Sequence, residues 1–318
     1  MVSDTSLRVV FFGTPSFAMP TLDALLTSRH PVVGVVTQPD RPRGRGQRTS
    51  DAPVKARAID AEVPVLQPAT LADPAFAEAL AAFAADIGVV AAYGRILSEA
   101  VLATPRLGMV NVHASLLPRY RGAAPVHRAV MAGERETGVT IMQVVKALDA
   151  GPMLADLRRA IGPDDTSEEV ERDLATLGAG LLVSTLDRIA QGTAQETPQD
   201  HSRATYAHRL TREEGLIDWG WSVERVHNLV RGLHPWPHAY GFLNGERLII
   251  RRSAVAAGSA TAPPGTILSA HGDNLHVAAG QGILEIVELQ SEGKRPMSPR
   301  DFLAGHRLKP GDRLTRTP

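Results

Sequence analysis

Short apolar runs recur over residues 7–92, each closed by a turn signal and followed by a stretch of helical character. The run VVFF follows Arg8, and Gly13, Thr14 and Pro15 break it ahead of an amphipathic segment that reaches Leu26. Residues 31–37 form a second, β-branched run, 63–66 a short third and 86–92 a fourth, with an alanine-rich segment at 75–85 between the last two. Runs this short are strands rather than packed helices. Strands that alternate with helices imply a parallel sheet covered on both faces. At 318 residues the chain exceeds an average single core, so two domains are expected.

A fifth strand opens the stretch GMVNVHASLLPRYRG at residues 108–122. It begins apolar and then sets Asn111, His113 and Ser115 at alternate positions, which in a strand places them on one face. Leu116, Leu117 and Pro118 follow, and the proline turns the backbone out of the sheet. Polar side chains therefore stand at the carboxyl end of a strand, where open α/β sheets bind ligands. The alternative is a core strand whose Asn and His satisfy neighbouring backbone groups. A dinucleotide site would suit Asp40 after the second strand. The first turn, however, offers Gly13 alone, with Phe17 and Met19 where further glycines belong, and no phosphate-loop pattern occurs.

Two loops add charge. Arg41, Arg43, Arg45 and Arg48 are interleaved with Pro42, Gly44 and Gly46 and contain no acid, as befits a basic loop that contacts phosphates; a plain solvated loop is the alternative. After a strand at 138–144, Asp149 sits in KALDAGPML, ahead of Ala150, Gly151 and Pro152, as a carboxylate held in a turn. Strand-end features near Tyr93, Asn111 and Asp149 can converge on one cleft in a parallel sheet.

Asp165, Thr166 and Ser167, followed by Glu168 and Glu169, start a helix that runs to Ile189 and closes a first domain over 1–192. Residues 193–206 turn polar, as linkers do. Residues 207–318 begin with short helices, including 223–233, and continue with β runs at 240–243, 248–250, 265–268, 275–278 and 283–289, separated by Gly-rich turns. Five such strands predict a small β-barrel of the oligonucleotide-binding type. Formal charge is zero, but residues 201–318 carry 15 Lys and Arg against 11 Asp and Glu and eight of the 11 histidines, so this is the part better suited to an anionic partner.

There are no cysteines, which excludes disulfides and a thiol nucleophile and agrees with a cytoplasmic protein. The N-terminus shows no cleavage pattern, and no apolar run approaches the ~20 residues of a membrane helix. The expectation is a monomer with no membrane partner. An amide, an imidazole and a carboxylate suit direct acyl transfer between two bound substrates. Asn111 would bind an oxyanion, His113 would relay a proton and Asp149 would support the imidazolium. Ser115 lacks the strained elbow of a hydrolase nucleophile. The spacing of His113 and His127 with Asp149 matches no common zinc pattern, so no metal is expected.

NVHASLLPRYRGAAP together with LDAGPM resembles the signature of enzymes that transfer formyl groups from 10-formyltetrahydrofolate. FFGTPSFA, TQPDRPRGRG, AYGRIL, ETGVTIM, IDW, HPWP, PGTIL and GILEI extend the likeness along nearly the whole chain to the methionyl-tRNA formyltransferase family. The resemblance implies a Rossmann-like formyl-transfer domain and a barrel-like C-terminal domain that helps hold tRNA. It also implies 10-formyltetrahydrofolate as co-substrate and methionyl initiator tRNA as partner, in translation initiation. The family's catalytic residues match Asn111, His113 and Asp149. Its folate-contacting residues match Ser115, Leu116, Leu117 and Pro118, and its acceptor-stem loop matches Arg41, Arg43, Arg45 and Arg48. Gln47 and Arg48 stand where lysines are common, and His234 stands where asparagine often precedes PWP.

Overall fold

The computed structural model describes residues 6–40, 42–43, 48–49 and 51–318, with the backbone alone over 42–43 and 48–49. It divides into two compact units that do not follow chain order. One runs to Ala123 and resumes over Thr137–Arg159 and Glu171–Ala207; the other comprises Ala124–Glu136, Ala160–Val170 and His208–Pro318.

The first unit is built on alternating strands and helices. In order come β1 (Val9–Gly13), α1 (Met19–Leu26), β2 (Val32–Val36), the short antiparallel pair β3 (Pro42–Arg43) and β4 (Arg48–Thr49), α2 (Pro53–Asp60) and β5 (Val65–Leu66). There follow α3 (Pro74–Ala82), β6 (Ile87–Ala91), α4 (Glu99–Leu102), β7 (Met109–His113) and β8 (Arg121–Gly122). Beyond α5 (Pro125–Met131) come β9 (Glu136–Gln143), β10 (Met153–Ala160), α6 (Ser167–Ala190) and β11 (Tyr206–Ala207). The main sheet has the order β10-β9-β7-β6-β1-β2-β5.

Both faces of this sheet are buried, and the period of two along β1 shows it. Val9 and Phe11 join a core with Leu22, Val54, Val89, Val112 and Leu182, whereas Val10 and Phe12 join one with Phe76, Leu80, Tyr93 and Met109. Strands sealed on both faces read as continuous apolar runs, which is why β1, β2 and β6 stand out in the sequence. The sheet is a Rossmann-like, mainly parallel one, with a correction at one edge. β1, β2, β5, β6 and β7 are parallel, but β9 pairs antiparallel with β7, His113 opposite Thr140. Apolar patterning marks a segment as a strand without giving its direction, and an antiparallel strand at the edge of a parallel sheet is a common variation.

The second unit contains α5, α7 (Val223–Gly232), β12 (Ala239–Leu243), β13 (Glu246–Ala256), β14 (Ile267–His271), β15 (Asn274–Ala278), β16 (Ile283–Ser291), α8 (Pro299–Gly305) and β17 (Leu314–Thr315). Its sheet order is β14-β15-β16-β13-β12-β17. Asn244 and Gly245, both at positive φ (50° and 84°), make the tight turn between β12 and β13. The two ends of the sheet meet: Leu314 N–H donates to Gly265 O at 2.8 Å and Ile267 N–H to Asp312 O at 2.7 Å. That contact curls the sheet into a small OB-like barrel and leaves fewer open strand edges. Val226, Leu229 and Val230 of α7 fill it together with Leu248, Ile250, Leu284, Ile286 and Phe302.

The first turn of α6 carries a reciprocal cap. Thr166 N–H and Oγ1 both donate to Glu169 Oε2, at 2.8 and 2.7 Å, and Glu169 N–H donates back to Thr166 Oγ1 at 3.3 Å. The Thr166 bonds, helped by Arg252, lower the Glu169 carboxyl pKa from 4.5 to about 2. A depressed carboxyl stabilises the fold above its unfolded pKa and stops doing so as pH falls through the folded one. We expect Glu169→Ala to cost about 1 kcal/mol at pH 7. The gap to wild type should narrow between pH 4.5 and about 2, as read by urea unfolding at stepped pH.

Candidate active site

β7 presents alternate residues to the two faces of the sheet, and the two faces are used differently. Val110 and Val112 face the core that α6 covers. Gly178 allows this close packing, because a Cβ there would lie 2.7 Å from Val112 Cγ1. Met109 belongs to the opposite core, and Asn111 and His113 share its face. Asn111 is half-buried, and its side-chain amide takes no hydrogen bond from any described residue. His113 is 5% exposed. β6 runs parallel beside β7, Val90 opposite Asn111, so the segment after β6 lies along the same edge. There Tyr93 packs edge-on against Phe12, ring centroids 5.4 Å apart, and burial pushes its phenol pKa up.

One hydrogen bond orients His113. Its Nε2 lies 3.0 Å from the Tyr120 carbonyl, an atom that only accepts, so Nε2 carries the proton. Nδ1 is thereby left with its lone pair, 3.7 Å from Asp149 Oδ2. A proton taken up at Nδ1 would meet a carboxylate. Asp149 reaches this position from an unexpected direction. The loop that carries it leaves the sheet beside Met109, where Val144 N–H donates to Met109 O at 2.8 Å, and folds back to meet His113 at the far end of β7.

Asp149 holds a left-handed backbone, φ 47°, which for a residue with a Cβ costs about 1–3 kcal/mol and persists only where neighbours over-determine it. Three contacts do so. Gly122 N–H donates to its Oδ2 at 2.8 Å. The Gln199 amide donates to its carbonyl at 2.9 Å and to that of Gly151 at 2.8 Å. At Gly151 a Cβ would stand 2.0 Å from Gln143 O, so the loop can only pass there as glycine.

The polar stretch 193–206 is bonded to this unit along much of its length. Thr197 and Met153 exchange backbone hydrogen bonds at 2.8 Å. β11 pairs parallel with β8, Tyr206 opposite Arg121 and Ala207 opposite Gly122. Arg121 N–H donates to Thr205 O, and Tyr120 N–H to Thr205 Oγ1, each at 2.8 Å. Arg121, 4% exposed, donates through its guanidinium to Gln199 Oε1 and His201 Nδ1. Sequence reasoning missed Arg121, Gln199 and Thr205. Polar composition suggested a solvated linker, and nothing in the pattern shows that one glutamine turns inward.

Ser115 lies past the end of β7 and is fully buried. Its hydroxyl donates to Arg119 O at 2.6 Å and its carbonyl accepts from Thr140 Oγ1 at 2.7 Å, so it braces the turn. Leu117 is buried, while Leu116 and Pro118 are half-exposed. Arg41 and Arg45 of the basic loop lie outside the described residues, as do the side chains of Arg43 and Arg48. Among the described residues no three His, Cys, Asp or Glu side chains are grouped as a metal site.

Residues 7–186 match the family model described as formyl transferase, and 209–307 match its C-terminal domain. The chain belongs to the formyl transferase family. It is 47% identical over 310 residues to the methionyl-tRNA formyltransferase of Citrifermentans bemidjiense, covering 98% of this chain and 97% of that one. To the methionyl-tRNA formyltransferase of Methylococcus capsulatus it is 48% identical over 308 residues, 97% and 99% of the two chains. Among solved structures, the N-formyltransferase of Helicobacter canadensis, in complex with folinic acid and dTDP-3-aminofucose, superposes with a TM-score of 0.67. It shares 17% identity and covers 88% of this chain and 99% of its own, a likeness of fold alone.

In this formyl transferase the donor to Asp149 is itself constrained. Gly122 has φ 119°, and a Cβ there would lie 2.8 Å from Ala207 O. We expect Gly122→Ala to destabilise the protein by more than about 1 kcal/mol, seen as a lowered thermal midpoint. An unchanged midpoint would show that the β8–β11 pairing yields without cost.

Proposed function

We propose that this chain transfers the formyl group of 10-formyltetrahydrofolate to the α-amino group of methionyl initiator tRNA, supplying the formylated tRNA that begins translation. The full-length identity to methionyl-tRNA formyltransferases carries the reading. The grouping of His113 and Asp149 beside Asn111 supports it. No helix among the described residues is long and apolar enough to cross a membrane. We assign the activity to the cytoplasm, where both substrates meet, and to the monomer.

The α-amine, whose pKa lies near ~7.7–8.0 in the free state, attacks the formyl carbon. A C–N bond forms, the carbonyl becomes an oxyanion, and the bond to folate N10 then breaks as N10 gains a proton. Asn111, without a partner among the described residues, donates its amide N–H to the oxyanion. Nε2 of His113 is committed to Tyr120, so Nδ1 is the nitrogen that takes the proton from the amine and returns it to N10. Asp149 faces Nδ1 while the ring is charged. No nucleophile of the protein enters; the cleft orients two substrates and moves one proton.

Leu116 and Pro118 offer apolar surface to the folate ring system, with Ser115 bracing the turn beneath them. In this reading 1–192 is the catalytic part, 193–206 joins it to the rest, and 207–318 holds tRNA with the basic loop. Arg41, Arg43, Arg45 and Arg48 contact phosphates near the acceptor end.

Formyl transfer from 10-formyltetrahydrofolate to purified methionyl-tRNA tests the reading directly, with glycinamide ribonucleotide and an amino-sugar nucleotide as competing acceptors. Preference for either competitor sinks the assignment. Turnover should fall ~10²–10³-fold in Asn111→Ala. In His113→Ala it should fall ~10²–10⁴-fold with tRNA binding retained. Wild-type turnover in His113→Ala would remove the proton relay. Replacing the four loop arginines by serine should weaken tRNA formylation and flatten its dependence on salt. Equal activity at every salt concentration would take the loop out of the mechanism.

A further inference from the structure

Gln199 and Arg121 are buried, 5% and 4% exposed, and the transfer chemistry uses neither. Their bonding leaves the glutamine one orientation. Nε2 donates to the carbonyls of Asp149 (2.9 Å) and Gly151 (2.8 Å), and Oε1 accepts from Arg121 Nε (3.1 Å) and from a terminal guanidinium nitrogen (2.6 Å). Turning the amide over would set donors against donors and acceptors against acceptors. Both ends are therefore committed.

Two features go beyond what packing alone would ask. Among the described residues Arg121 pairs with no carboxylate; its acceptors are Gln199 and His201 Nδ1, at 3.0 Å. Burying a guanidinium on neutral acceptors is costly and is replaceable by apolar volume when nothing else depends on it. The carbonyls that Gln199 grips are those of a strained residue, Asp149 at φ 47°, and of Gly151 two positions on. Gly122 N–H fixes the carboxylate at 2.8 Å and Gln199 fixes the backbone behind it, so the position of Oδ2 opposite His113 Nδ1 is set from two sides.

We propose that the Arg121–Gln199 pair is a positioning device: Gln199 locks the Asp149 loop so that the carboxylate stays opposite His113 through the proton relay, and Arg121 holds Gln199 in the orientation that can do so. The proposal rests on the catalytic reading of Asp149. It predicts that the segment after α6 contributes to turnover without touching substrate.

The discriminating variant is Gln199→Glu. It keeps the oxygen that Arg121 binds but puts an oxygen where the two carbonyls need N–H groups. A residue whose role is to satisfy Arg121 tolerates that change; one that holds the Asp149 loop does not. In full-length protein, kcat should fall about 10²-fold, the scale of an ångström of misplacement in a catalytic group. KM for methionyl-tRNA should stay as in wild type.

The decisive measurement is the cycle with Asp149→Asn. If Gln199 acts through Asp149, the double variant turns over no more slowly than Asp149→Asn alone. Multiplying losses, or a wild-type kcat in Gln199→Glu beside a crippled Asp149→Asn, overturn the proposal and leave the catalytic reading standing. A wild-type kcat in Asp149→Asn overturns both. Circular dichroism and thermal midpoints accompany each variant. Should Gln199→Glu not fold, Gln199→Met repeats the test at similar length. Failure of both to fold assigns the pair a purely structural role and overturns the proposal.

Discussion

Backbone groups of two residues, Tyr120 and Gly122, hold the side chains of His113 and Asp149. The Tyr120 carbonyl accepts from His113 Nε2 at 3.0 Å and Gly122 N–H donates to Asp149 Oδ2 at 2.8 Å. A side-chain partner can rotate away, whereas a backbone partner moves only if the chain moves. Much of the first unit can be understood as preventing that movement. β11 pairs with β8 alongside, Thr205 binds Tyr120 and Arg121, and the Arg121 side chain runs inward to Gln199. The short β8–β11 pair thus fixes the tautomer of an imidazole and the place of a carboxylate at once.

Such an arrangement requires a strand with two different faces. The Val110 and Val112 face of β7 is sealed by α6, which comes close because residue 178 is glycine. That burial supplies the stabilisation of β7, about 1.5–3 kcal/mol for each fully enclosed aliphatic side chain. The opposite face gives Met109 to the other core and carries Asn111 and His113 beyond it.

The extent to which this was legible in the sequence follows from what each interaction leaves in the pattern. Strands buried on both faces, such as β1 and β6, appear as unbroken apolar runs, and the alternation of Asn111 and His113 gave their common face. The cap of α6 and the Asn244–Gly245 turn were visible because each depends on local residues in fixed order. Features that depend on partners far along the chain left no local mark. The direction of β9 is one. The backbone bonds from residues 312 and 314 to 265 and 267, which curl the barrel, are another. Ser115 was legible as polar at the strand end but not as the brace of a turn, since its hydroxyl meets Arg119 only once the chain has turned. Gln199 was hidden by its neighbours: a polar stretch suggests solvent, and a single inward glutamine does not alter its composition.

The distribution of cost argues in the same direction. A left-handed Asp149 and a guanidinium buried on neutral acceptors are both unfavourable in isolation, and they lie at the two ends of one chain of hydrogen bonds, Arg121 to Gln199 to the Asp149 carbonyl. Unrelated defects have no reason to be joined. A reaction in which the protein forms no covalent bond to substrate gains rate chiefly from groups already in place when the transition state forms, because nothing then has to reorganise. Rigid placement of a carboxylate opposite an imidazole is worth local instability under that condition, and the offset comes from apolar cores that the cleft does not disturb. Under the proposed proton relay, the strain at Asp149 and the burial of Arg121 are two ends of a single requirement, that one carboxylate not move.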